Sequence, residues 1–477
     1  MQKNNNALFF TCSLIEYISR NTKNHRSDVV LYLGDNLKRI YNYADVFHCE
    51  PIEKVSDDFI QRASIPLGSY DNISNCKYTV PDYWDIGEVF ARLIEDCYEE
   101  NDVMKGIKEV YQSWLSEKKV RNGEFVKYQE IVKQVREKQN IELSQLEMLL
   151  GNATEEETGL LYAQAREVAD EVYGRRVFKR GLIEFTNYCK NDCYYCGIRR
   201  SNSCAERYRL DKETILSCCE KGYALGYRTF VLQGGEDGYF TDERVCGIVS
   251  EIRKNYQDCA ITLSIGEKSK ESYQKYFDAG ADRYLLRHET ANEEHYGKLH
   301  PAELSLRKRK QCLYDLKEIG YQVGCGFMVG SPYQTMETLY EDLMFIKELE
   351  PHMVGIGPFI PQKETPFAEK NAGTLEMTLR LLAIIRLMHP QVLLPATTAL
   401  GTIDEQGREL GILAGANVVM PNLSPMDVRE KYKLYDQKAC TGDEAVEGDR
   451  NLQLRMKAIG YELVCDRGDY KIITSNK

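Results

Sequence analysis

From residue 177 onward the chain repeats one pattern: a short apolar, often β-branched run ending in a polar or glycine cluster, then an amphipathic segment, then Gly or Ala-Gly. Candidate strands fall at 177–185, 228–232, 260–265, 282–287, 322–329, 353–358, 391–395 and 417–420, with helical segments between them at 212–225, 243–256, 306–319, 337–350 and 375–388. Near-continuous apolar strands separated by helices call for a parallel sheet covered by helices. Eight such units can close as an α/β fold of the (β/α)8 TIM-type barrel kind, with an open doubly wound sheet as the alternative. Barrels of this kind do their chemistry at the C-terminal ends of the strands, and the polar clusters of this chain fall there.

With 477 residues, 43% apolar and 28% charged, the chain has room for one large domain and a smaller one. Its net charge of -11 is spread along the sequence, which argues against nucleic acid or an anionic membrane as the main partner. The first apolar run, residues 7–15, is too short to span a bilayer and has neither a basic lead-in nor a small-residue cleavage site. A cytoplasmic protein is expected. Its sixteen cysteines are mostly scattered through helical and strand patterns, as reduced, buried thiols are.

One group of cysteines is different. After the first strand comes Thr186-Asn-Tyr-Cys189-Lys-Asn-Asp-Cys193-Tyr-Tyr195-Cys196-Gly197, a C-x3-C-x2-C spacing. Three thiolates this close can hold three irons of a [4Fe-4S] cluster and leave the fourth open. Proteins that only carry electrons normally close all four positions with cysteine, so an open iron suggests a place where a small molecule binds. A tetrahedral zinc site is the competing reading, but structural zinc wants four ligands, usually in two spaced pairs, and no fourth cysteine or histidine pairs up nearby, Cys204 being the closest candidate. The spacing, with an aromatic residue before the last cysteine, resembles the signature of the radical S-adenosylmethionine (SAM) enzymes. That resemblance implies that Cys189, Cys193 and Cys196 are the catalytic, metal-binding residues and that the open iron chelates SAM.

The strand ends extend the resemblance. In order they read Gln233-Gly-Gly-Glu-Asp237, Ser264-Ile-Gly-Glu267, Arg287-His-Glu-Thr-Ala-Asn292, Gly355-Ile-Gly-Pro-Phe-Ile-Pro361, Pro395-Ala-Thr-Thr-Ala-Leu-Gly-Thr402 and Met420-Pro-Asn422. Over residues 124–461 this series resembles the HydE family, the radical SAM maturases of [FeFe]-hydrogenase. Read from the residues, Gly234 and Gly235 leave backbone bare for a ligand's approach, Arg287 offers a planar fork for a carboxylate, and Glu267 can accept hydroxyl hydrogens. The resemblance puts Gln233, Gly234, Gly235 and Glu236 at the SAM amino group, Glu267 at its ribose, Arg287 at its carboxylate and Tyr195 at its adenine. It likewise implies a substrate pocket formed by Thr397, Thr398, Ala399, Met420, Tyr432 and Tyr435, where a thioether and phenols suit an organometallic ligand. For the charged residues a structural ion pair, and for Met420 and Tyr435 a place in the core, are the plainer alternatives.

The implied reaction is reductive cleavage of SAM to a 5'-deoxyadenosyl radical acting on a cysteine-bound Fe(CO)2(CN) synthon, with the maturases HydG and HydF and a reducing electron donor as partners. A biotin synthase-like or methylornithine synthase-like enzyme shares that chemistry on an organic substrate; a non-catalytic iron-sulfur carrier would need no such series of strand ends. Some relatives carry two further cysteines after the position of Cys440, and here none occurs before Cys465, so no accessory cluster is expected. A helical collar is expected over residues 121–176, ahead of a barrel at 177–465. Residues 1–120 lie outside the resemblance and suggest an additional α+β domain, regulatory or docking, with strand-like runs such as 29–33 and a helix over 86–117. Its cysteines Cys12, Cys49, Cys76 and Cys97 show no cluster spacing.

Overall fold

The computed structural model describes residues 6–70, 81–98, 102–112, 115–151, 153–438 and 445–471. They fall into two compact units, one running up to residue 130 with 153–154, the other comprising 131–151 and 155 onward.

Among its described residues the first unit is helical, which corrects the α+β expectation. The run at 29–33 lies in the helix Arg26–Leu33, not in a strand. Val29, Val30 and Leu33 form a single buried face there, packed in a cluster with Leu8, Phe10, Leu14 and Phe59, and such packing overrides the β-branched preference of two adjacent valines. The helix expected over 86–117 is observed as Tyr83–Cys97 and Val103–Gln112, followed by Leu115–Lys138. Asp82 caps the first of these by accepting the amide hydrogens of Trp84 (2.7 Å) and Asp85 (2.9 Å). This helix packs on Asn6–Thr22 at Gly87, where a Cβ would come 2.1 Å from Ser13 Oγ. The buried Glu16 is met by Arg20 (2.8 Å) and by Arg26. Cys76 lies outside the described residues.

In the second unit the collar helices Leu143–Leu150 and Glu155–Tyr173 precede the strands. These are β1 (Arg176–Lys179), β2 (Gly181–Thr186), β3 (Thr229–Gly234), β4 (Ala260–Ser264), β5 (Arg283–Leu285), β6 (Gln322–Cys325), β7 (Met328–Val329), β8 (Met353–Val354), β9 (Gly357–Pro358), β10 (Pro395–Ala396), β11 (Val418–Val419) and β12 (Glu462–Val464). The parallel ladder β2-β3-β4-β5-β6-β8 continues through a parallel bridge from Met353 to Leu393 just before β10, then β10-β11, and returns by a bridge from Asn422 to Leu182 of β2. The sheet therefore closes into a barrel.

Three of the expected strands are each split in two. Arg180 separates β1 from β2 but stays in the ladder, donating its amide hydrogen to Val419 O (2.9 Å). Gly326 separates β6 from β7 at φ +152, pressed so closely on the neighbouring segment that a Cβ would meet Gly355 O at 2.0 Å. The third break, residues 355–356, separates β8 from β9. Helices Lys212–Ala224, Asp242–Asn255, Leu306–Ile319, Met336–Leu349 and Leu375–Met388 lie within a residue of their sequence positions.

β12 and the tail after it close the N-terminal end of the barrel. β12 pairs in parallel with β1. Arg283, 1% exposed, donates to Asp469 Oδ1 (2.6 Å), Arg467 O (2.9 Å) and Gly468 O (3.1 Å). No helix among the described residues is long and apolar enough to cross a membrane.

Candidate functional site

The C-terminal ends of β2 to β9 surround a cavity of about 290 Å3, and the cysteine loop forms one of its walls. The loop is folded around Arg207, whose guanidinium donates to the carbonyls of Asn187, Ile198 (2.8 Å), Arg199 (2.6 Å) and Asn202 (3.2 Å). Asp192 clamps it from the other side, accepting from Arg199 Nε (2.7 Å) and Ser201 Oγ (2.6 Å). Gly197 fits beside Lys433 O, which a Cβ would approach to 2.0 Å, while its amide donates to Leu434 O (2.8 Å). Few other residues could follow Cys196 without moving the segment that carries Tyr432 and Tyr435.

Cys189, Cys193 and Cys196 all line the cavity. Burial pushes the Cys193 thiol up to about 12, and burial together with the charges of Cys193 and Cys189 raises Cys196 as well. Three half-buried, mutually repelling thiolates are costly unless a metal replaces their protons, so the donor set fits an iron-sulfur cluster. Among the described residues no three His, Cys, Asp or Glu side chains converge tightly enough to chelate a single ion. A four-iron cube accepts thiolates set further apart than one zinc ion does.

The other walls carry most of the residues expected at a cofactor. Gln233, Gly234, Gly235, Glu236, Arg287 and Tyr195 line the same cavity. Gly235 is required by contact: a Cβ would come 2.2 Å from Tyr188 O and 2.8 Å from Cys189 Cβ. Glu236, 6% exposed, accepts the amide hydrogen of Glu267 (3.0 Å) and pairs with Lys190 Nζ (3.1 Å). The Arg287 Nε and Nη2 are buried without a hydrogen-bond partner, although Nη2 stands 3.1 Å from Glu289 Oε2. Tyr195 is fixed by its hydroxyl to His300 Nε2 (3.2 Å), with the two rings edge to face at 5.4 Å. Since His300 Nδ1 lies 3.0 Å from the Tyr296 carbonyl and must donate to it, Nε2 accepts and the Tyr195 hydroxyl donates. Glu267 lies behind the lining, in an ion pair with Arg309 (3.1 Å).

Of the six residues expected at a substrate, Tyr432 and Tyr435 line the cavity and Thr397, Thr398, Ala399 and Met420 do not. Thr397 occupies the N-cap position of the helix Thr398–Ile403, its buried Oγ1 lacking a partner, and Ala399 is buried one residue into that helix. Met420 packs lower in the barrel against Phe178, Met353, Leu393 and Val418. Leu285 borders both places, lining the cavity and packing in the Met420 cluster. Cys440 lies outside the described residues.

Sequence reasoning passed over Glu289, Arg309, Met328 and Phe359, which also line the cavity. Arg309 had a signal: it shares the inward face of its helix with Leu306, Leu313 and Leu316, and a cation on an apolar face needs a buried partner. Glu289 had none that periodicity could show, because its exposure to the cavity depends on a φ of +67.

Known proteins match this geometry. The Radical SAM superfamily profile matches residues 183–346. The chain is 46% identical over 280 residues to the [FeFe] hydrogenase maturase subunit HydE of Thermotoga maritima, covering 59% of this chain and 80% of that protein. It is 32% identical over 322 residues to 3-methylornithine synthase of Methanosarcina acetivorans, covering 66% and 89%. The crystal structure of methylornithine synthase (PylB) superposes with a TM-score of 0.63 at 28% identity, over 70% of this chain and 97% of that one.

Proposed function

Because the chain belongs to the HydE family of radical SAM maturases, we propose that it cleaves SAM reductively and uses the resulting radical on a cysteine-bound Fe(CO)2(CN) synthon during hydrogenase assembly. One observation carries this reading: the cysteine triplet, the Gly234-Gly235 strand end and the Arg287 guanidinium, whose Nε and Nη2 have no hydrogen-bond partner and whose ion pair is with Glu289, share one cavity. The family implies a [4Fe-4S] cluster and SAM as cofactors. When bound, that pair supplies the electron transfer that breaks the sulfonium and releases a 5'-deoxyadenosyl radical.

The chain's own residues bind and orient. Arg287 supplies a charge-assisted contact for the SAM carboxylate, and the bare backbone of Gly234 and Gly235 admits its amino end. Glu289, which faces the cavity, and Glu267 just behind it are the carboxylates for the ribose hydroxyls, each held by a neighbouring arginine at 3.1 Å. Leu285, Met328 and Phe359 give the cavity apolar walls that exclude water, and Tyr432 and Tyr435 turn phenols toward a soft, metal-bound substrate. Thr397, Thr398, Ala399 and Met420, which stand outside this lining, serve the substrate. The family relation supports HydG as the source of the synthon, HydF as its destination, and the cytoplasm, where thiols stay reduced, as the setting.

The test separates cofactor from substrate. Removing a buried charged contact costs about 2 to 5 kcal/mol, so Arg287→Ala should lose SAM affinity and formation of 5'-deoxyadenosine together in anaerobically reconstituted protein. Thr397→Val with Thr398→Val keeps shape and deletes both hydroxyls; this variant should bind SAM and cleave it slowly while failing to mature hydrogenase. Loss of SAM binding by the threonine variant would overturn the assignment.

A further inference from the structure

Between Arg287 and Glu289, which both face the cavity, lies a residue that faces away from it. His288 is 0% exposed, and its Nε2 stands 3.3 Å from Oδ1 of Asp342, which is also 0% exposed. Asp342 belongs to the outer helix Met336–Leu349. The imidazole Nδ1 accepts the amide hydrogen of Gly326 (3.3 Å), which leaves the ring hydrogen on Nε2, toward Asp342. Oδ1 of Asp342 also accepts the amide hydrogen of Ala291. Between these anchors Glu289 is held at φ +67, with its amide donating to Gly326 O (3.1 Å). That left-handed conformation is disfavoured for any residue carrying a Cβ, and it persists only where the surroundings over-determine it.

Burying this pair is expensive. Desolvation raises the Asp342 carboxyl far above the usual carboxylate range and lowers His288 well below its own, and neither Asp342 Oδ2 nor His288 Nε2 has a hydrogen-bond partner, the 3.3 Å approach being contact alone. A well-packed apolar pair of similar volume is often as stable or more so, so stability alone does not account for a histidine and a carboxylate here. Their geometric effect does: one end of the 288–291 segment is tied to the break between β6 and β7, the other to the outer helix.

We propose that His288 and Asp342 are positioning residues that hold Glu289 left-handed and Arg287 beside it, so that a carboxylate and a guanidinium face the cavity as a pre-formed cradle for the charged and hydroxyl groups of SAM. This rests on the reading of the cavity as the SAM site.

The experiment uses cluster-loaded full-length protein and SAM itself. Asp342→Leu removes the acceptor of the Ala291 amide while keeping volume, Asp342→Asn restores an acceptor oxygen, and His288→Phe fills the ring's place without accepting from Gly326. Misplacement of about an ångström at a pre-organised site can cost on the order of a hundredfold in rate; Asp342→Leu and His288→Phe should each raise the SAM dissociation constant at least about tenfold. Their iron content and the electron paramagnetic resonance spectrum of the reduced cluster without SAM should match the parent, the SAM-induced change in that spectrum should appear only at higher concentration, and Asp342→Asn should recover most of the affinity. A purely structural role would lower thermal stability without this selective loss and rescue. Parent-like SAM affinity in iron-loaded Asp342→Leu or His288→Phe overturns the proposal. Arg287→Ala, measured alongside, tells the two failures apart: if it too keeps parent-like affinity, the reading of the cavity falls, and if it alone loses affinity, only the positioning role does.

Discussion

Glu184 of β2 is 1% exposed, and two groups from far along the chain meet its charge: Lys438 Nζ at Oε1 and Asn422 Nδ2 at Oε2 (2.8 Å). Lys438 also lies 4.8 Å from the Tyr432 ring and donates to the Tyr432 carbonyl (3.1 Å), so the pair fastens the segment bearing the cavity phenols to the barrel. Breaking a buried ion pair from one side leaves an uncompensated charge worth about 3 to 5 kcal/mol. Lys438→Met should therefore lower stability by that amount in urea unfolding, whereas adding Glu184→Gln should recover much of it; equal losses in the single and double variants would show that the lysine contributes through packing alone. The cysteine triplet was legible because its chemistry is written within eight consecutive residues. Glu184 and Lys438 are 254 positions apart, and only the closed barrel brings them together.

Among elements, strand ends were more legible than the strands themselves. The strand ends at Gln233 and Arg287 reach the cavity because a parallel barrel directs every strand's C-terminus one way, whereas the Met420 end packs in an apolar cluster instead, and short strands such as β8 and β11 are set by pairing more than by composition. In the first unit the valines at 29 and 30 pointed to a strand, and burial in a helical cluster decided otherwise. Glycines divide in the same way between those the fold requires and those it tolerates. Gly266, after β4, has φ +74, and a Cβ would fall 2.1 Å from Glu236 Cγ, the side chain that holds the Glu267 amide. Gly266→Ala should cost more than about 1 kcal/mol and weaken SAM binding by moving Glu236. Gly297 lies within the helix Glu293–Leu299 with nothing within 4 Å of a Cβ, so Gly297→Ala should stabilise by about 0.4 to 1 kcal/mol. Thermal melts of the two variants should shift in opposite directions, and a shift the same way would show that local space does not govern these two positions.

At the scale of the molecule, the barrel and its cysteine loop were readable because alternation and spacing are local signals summed over many repeats. The helical first unit and the tail that closes the barrel base carry no such repeat. Histidine distribution follows the same division. Of seven histidines, the five in the second unit are all pushed down by burial: His300 to about 3, His389 to about 4, His288 well below its usual range, and His295 and His352 in the same direction. In the unfolded chain each takes up a proton near pH 6.5, so between there and about 4 the unfolded state binds more protons than the folded one, and stability must fall as the solution is acidified. The stabilisation is fully present above pH 6.5 and declines by up to about 1.4 kcal/mol per pH unit for each such histidine. Urea unfolding followed by circular dichroism from pH 7 to 4.5 should show this loss before most carboxylates titrate. His389, at the end of the helix Leu375–Met388 and remote from the cavity lining, gives the cleanest check. His389→Gln should reduce the slope by about one proton, and an unchanged slope would mean that His389 already titrates normally in the folded protein.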